Sequence, residues 1–125
     1  MRKRSWSKMR ALVAAGALAS AMLVLPNGAR AADAVTGEVV DMSCYLGHPE
    51  TGRGPGHKKC AETCAKKGLP MGILAEDQTV WLLLEDHDNP KAYATALEGA
   101  AKTITVEGRK ATVGGVNGIV VEGVK

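Results

Sequence analysis

Phenylalanine is absent from this 125-residue chain, and the other aromatics come to two tryptophans and two tyrosines. A core built without it must be filled by Val, Ile, Leu, Met and Ala, most of which bury less apolar surface apiece than an aromatic ring. Cysteine is nearly as scarce. Three thiols (Cys44, Cys60, Cys64) are too few for a disulfide-dense scaffold, and an odd number leaves one unpaired in any bridged form. Several signatures are also missing: no P-loop, no dinucleotide fingerprint, no Cys-x-x-Cys-His for covalent haem and no Ser/His/Asp arrangement. Glu38, Asp41 and Glu62 form no evident carboxylate pair. Nothing in the chain reads as an enzyme.

Acidic residues are lacking before Asp33, whereas Arg2, Lys3, Arg4, Lys8, Arg10 and Arg30 all precede it. The basic start is followed by "ALVAAGALASAMLVL", Pro26 and the small-x-small triplet Ala29-Arg30-Ala31, the pattern of a secretory signal peptide over residues 1–31. The apolar run is shorter than the ~20 residues a spanning helix needs. Without that segment, ten basic residues face thirteen acidic ones, a net charge of −3 where the whole chain carries +3. A mildly acidic domain with no basic cluster excludes an electrostatic case for nucleic acid or an anionic membrane. No second long apolar run follows, so the expected product is one exported domain over residues 32–125, periplasmic or secreted.

Along that domain "VTGEVVDM" reads as a strand, and "SCYLGHPETGRGPG" (43–56) as a glycine-rich loop that must be tied down to be ordered. Lys58 to Lys67 predicts a short helix, ended by Gly68 with Pro70 beyond. "MGILA" and "TVWLLLE" predict a hairpin. Asn89 and Pro90 open a second helix as N-cap and first residue, with Tyr93, Ala96, Leu97 and Ala100 on one face. "KTITVEG" and "KATVGG" read as two strands around Glu107-Gly108, and "GIVVEGV" as the closing one. The expected fold is mainly β with two short helices: a small OB-like five-stranded barrel carrying a helix-bearing insert after its first strand. A small open α+β sheet is the competing layout.

The chemistry concentrates in "GHKKCAETCAKKG" (56–68). On a helix His57, Cys60 and Cys64 fall at i, i+3 and i+7, one stripe, while Lys58, Lys59, Glu62, Lys66 and Lys67 lie away from it. The end of the first strand, at Cys44, is what that stripe is expected to face. Met42 would point to the same side if the strand ran that far. Thiols, an imidazole and a thioether make a soft-metal ligand set, for which three Cys and one His suit zinc and Cys with Met suits Cu(I). Two other readings stand beside it: a disulfide with one spare thiol, or a redox pair Cys60/Cys64 resolved by Cys44. His48 reads as a solvated loop residue, and His87 in "EDHDNP" as part of a capped turn.

The segments "GEVVDMSCYLG", "HKKCAETCAKKGLPMGIL", "WLLLEDHDNPKAY" and "GGVNGIVV" together resemble a group of small exported bacterial OB-like proteins. These share Asp-x-x-Cys-Tyr followed by His-x-x-Cys-Ala-x-x-Cys. The resemblance implies an exported domain and assigns no activity. In its ligands alone, Cys-x-x-x-Cys with a histidine is similar to the site of copper chaperones of the Sco type, whose thioredoxin-like strand order is missing here. The reading taken forward is a periplasmic protein binding copper or zinc through Cys44, His57, Cys60 and Cys64. A metal ion, and another periplasmic protein, are its expected partners. A disulfide-stapled interaction domain with no metal is a further alternative.

Overall fold

A computed structural model describes residues 30–125. The signal peptide expected over 1–31 therefore lies, but for its last two residues, outside the described residues. Five strands form a closed barrel in the order β1-β2-β3-β5-β4, the arrangement of an OB-like barrel. They are β1 (Asp33–Asp41), β2 (Met71–Ala75), β3 (Val80–Glu85), β4 (Thr103–Val113) and β5 (Val116–Val124). All pairings are antiparallel except β3 with β5, which run parallel. Three α-helices accompany them: α1 (Met42–Gly47), α2 (Lys58–Lys66) and α3 (Pro90–Leu97), with a 3-10 turn at Pro55–His57 leading into α2.

The interior is filled without phenylalanine. Val35, Val39, Met71, Ile73, Leu83, Val106, Ile119 and Val121 form one buried cluster with Ala61, Ala65, Ala96 and Ala100. The alanines come from α2 and α3 and from the turn after α3, where a small side chain lets the backbone sit close to the barrel. Trp81, Tyr93 and Leu97 pack around the edge of this cluster. α3 thus sits where expected, between β3 and β4. Its N-cap differs: the Asn89 side chain caps nothing in the helix and instead donates from its amide to the Glu122 carbonyl, 3.1 Å away.

The two short strands expected around Glu107-Gly108 are one continuous strand, β4, with a register shift between those two residues where it pairs with β5. A bulge bends a strand without ending it, which is why the pattern breaks at Glu107-Gly108 although the strand continues. Gly108 is needed there, because a Cβ would lie 1.8 Å from the Val120 carbonyl oxygen. The turn between β4 and β5 is Gly114-Gly115, both with positive φ, as a tight hairpin demands.

Candidate metal centre

The site forms where β1 ends. β1 stops at Asp41, whose extended backbone and acceptor side chain make it the N-cap of α1: Oδ1 accepts from the main-chain N–H of Cys44 at 2.8 Å. The segment read as pure loop from residue 43 therefore begins with a helix, and this helix presents Cys44. Met42 consequently opens α1 instead of extending β1, and the strand alternation that aligned it with Cys44 does not apply. Its sulfur rests over Gly72 of β2, where a Cβ would come within 2.6 Å.

The glycine-rich stretch that follows is tied down by backbone contacts. Gly52 N–H donates to the His48 carbonyl at 2.7 Å. Gly54, with φ of 78°, donates its N–H to the Glu38 carboxylate. The chain then enters the 3-10 turn at Pro55 and continues into α2, closed by Gly68 with φ of 74°, as its position after the last helical residue requires. α2 buries Ala61 and Ala65 against the barrel, while Lys58 and Glu62 pair on its outer side. The stripe of His57, Cys60 and Cys64 lies between those faces and meets α1.

The ligand atoms fall into two overlapping triads, each with all members within 4.8 Å of one another: Cys44, His57 and Cys60, and Asp41, Cys44 and Cys64. Cys44 belongs to both. The sulfurs of Cys44 and Cys60 are 3.9 Å apart, and all three thiols are free. Cys60 is exposed, Cys44 and Cys64 are half-buried, and Asp41 is fully buried. His57 Nε2 lies 2.8 Å from Asp41 Oδ2, its side chain 14% exposed.

Burial pushes the Asp41 carboxyl up, but the Cys44 N–H and the His57 ring outweigh it and hold it below its usual range. The Asp41 carboxylate in turn, with burial and the neighbouring Cys60, pushes the Cys44 thiol up to about 12. Burial, then the charge of Asp41 and the proximity of Cys60, raise Cys64 as well. Without a cation the protons on Cys44 and Cys64 are thus held more firmly than on ordinary thiols. A divalent or soft monovalent ion is the species that would displace them.

Three thiols and one imidazole suit zinc or Cu(I) and poorly suit calcium or magnesium, which take oxygen donors. Of the four expected ligands, Cys44, His57 and Cys60 meet in one triad, and Cys64 joins Cys44 in the other, beside Asp41. From the sequence Asp41 reads only as a carboxylate without a pair, although an Asp directly before a helix is an N-cap signal. His48 and His87 are exposed and stand outside both triads. Among the described residues no helix is long and apolar enough to cross a membrane. Compared with protein-family models, with curated proteins and with solved structures, the chain matches none.

Proposed function

We propose that this protein is an exported, non-enzymatic metal-binding domain that holds zinc or copper through Cys44, His57, Cys60 and Cys64. One observation carries the reading. Two thiolates on a tetrahedral zinc, each about 2.3 Å from the metal, stand roughly 3.8 Å from each other, and the Cys44 and Cys60 sulfurs are 3.9 Å apart. Bound there, zinc would tie α1 to α2 and copper would be held for exchange. The exposure of Cys60 supports an exchangeable site that a second periplasmic protein can reach. Export rests on the basic, apolar and small-x-small leader and on the resemblance to small exported OB-like proteins.

The rival reading is a redox pair of Cys60 and Cys64 resolved by Cys44; the Asp41 carboxylate and burial raise two of those thiols, Cys44 and Cys64, where redox chemistry favours an acidified one. The test is intact mass of periplasmic protein, native and denatured, before and after thiol alkylation, followed by titration with Zn(II) and Cu(I) after mild reduction. The reading requires one metal ion per chain, three alkylatable thiols once it is removed, and loss of the leader. A single reactive thiol with no metal uptake after reduction would eliminate it in favour of a disulfide-stapled domain.

A further inference from the structure

Asp41 is the one buried charged residue among the described residues, and neither of its oxygens is idle. Oδ1 accepts from the Cys44 main-chain N–H, and Oδ2 faces His57 Nε2, each at 2.8 Å. A carboxylate only accepts, so Nε2 must carry the ring proton. In the neutral imidazole the lone pair is then on Nδ1. We infer that Asp41 is a positioning residue, which locks His57 in the Nε2–H tautomer and so selects Nδ1 as the nitrogen offered to the metal. This rests on the metal-binding reading above and adds to it a residue that holds the ligand without joining it. A carboxylate behind a ligating histidine orients the ring and raises its basicity.

The same two contacts make an unusual demand on any replacement. In Asp41→Asn the Cys44 N–H still requires an acceptor, so the amide oxygen takes the Oδ1 place and the helix cap survives. The amide NH₂ then faces His57 Nε2. Two donors cannot share that contact, so the ring must move its proton to Nδ1. The substitution keeps shape and cap while inverting the tautomer, which places a hydrogen on the nitrogen the metal needs. Asp41→Ser keeps a cap and removes the partner of the ring altogether.

The experiment is done on reduced, metal-free protein over a pH series, by long-range proton–nitrogen correlation of His57, and the tautomer is read from the neutral ring. The wild type should show Nε2–H and Asp41→Asn should show Nδ1–H. Zn(II) affinity, measured by competition with a chromophoric chelator, should fall about 10–100-fold in Asp41→Asn, and by less in Asp41→Ser, whose ring can choose either tautomer. A wild-type ring protonated on Nδ1, or Asp41→Asn with unchanged affinity, overturns the inference. If Asp41→Asn does not fold, the wild-type tautomer decides alone. A wild type that takes up neither Zn(II) nor Cu(I) defeats the metal reading instead, and the ring measurement tells the two failures apart.

Discussion

Gly52 lies so close to the main chain of Cys44 that a Cβ at that position would stand 2.4 Å from the Cys44 carbonyl oxygen. The glycine-rich loop thus folds back on the helix that carries a ligand, and its tip sets where that ligand sits. No side chain can enter this contact without moving backbone. Gly52→Ala should therefore lower both the melting temperature and the Zn(II) affinity, although residue 52 offers no donor to a metal. Gly56, with open space around it, is the control. Thermal melts and chelator competition on Gly52→Ala and Gly56→Ala check this, and equal behaviour of the two variants would refute it.

The four ligands should not contribute equally. Each thiolate brings charge as well as a bond, so Cys44→Ser, Cys60→Ser or Cys64→Ser should nearly abolish stoichiometric Zn(II) binding. His57→Ala should cost less, because water can take a neutral nitrogen's place. Native mass after addition of one equivalent of zinc measures the order. Full occupancy in Cys60→Ser would show that the exposed thiol is not a ligand.

Stability should depend on pH with opposite signs in the two forms. In the metal-free protein the Cys44 thiol is raised from its ordinary value near 9 to about 12, so ionisation favours the unfolded chain. Its contribution is fully present below about 9 and is lost as pH rises toward about 12. With metal bound the thiols must be deprotonated, and affinity falls as pH falls. Denaturant melts should show stability falling from about pH 9 to about pH 11 with chelator, and rising from about pH 6 to about pH 8 with excess zinc. The alkaline loss in the metal-free form should shrink in Cys44→Ser. A loss of the same size there would assign it to other groups.

Ile73 is fully buried in the interior, and Ile73→Ala should cost about 2–5 kcal/mol, a cavity-forming loss. That corresponds to a melting temperature lower by roughly 10 °C or more. At temperatures where the variant is folded it should still take up one zinc ion.

Much of this architecture is legible in the residues themselves. The hairpin of β2 and β3, Pro90 at the start of α3 and Gly68 past the end of α2 all follow from local chemistry that tertiary contacts do not override. The stripe of His57, Cys60 and Cys64 needed only helical spacing. Other features depended on partners distant in the chain. Glu107-Gly108 looks like a turn until Val120 is placed across from it, which turns the glycine into a bulge. Asn89 looks like a cap, but the Glu122 carbonyl competes for its amide. Asp41 was hardest to read, since its two roles need both the helix that follows it and a histidine sixteen positions away.

Closing the barrel through a parallel pairing of β3 with β5 has a kinetic side. β5 is the strand that also pairs with β4, so two of the five seams stay open until residues 116–124 arrive. The ligand-bearing stretch, from Asp41 to Cys64, is short by comparison, and the contacts among Asp41, Cys44, His57 and Cys60 lie within it. Pairings between distant segments form slowly, because the entropy of closing the loop is lost before the contacts repay it. The proposed ligands can therefore come within reach of one another while the barrel is still an open sheet, and an ion captured at that stage would meet a chain whose final strand has yet to dock.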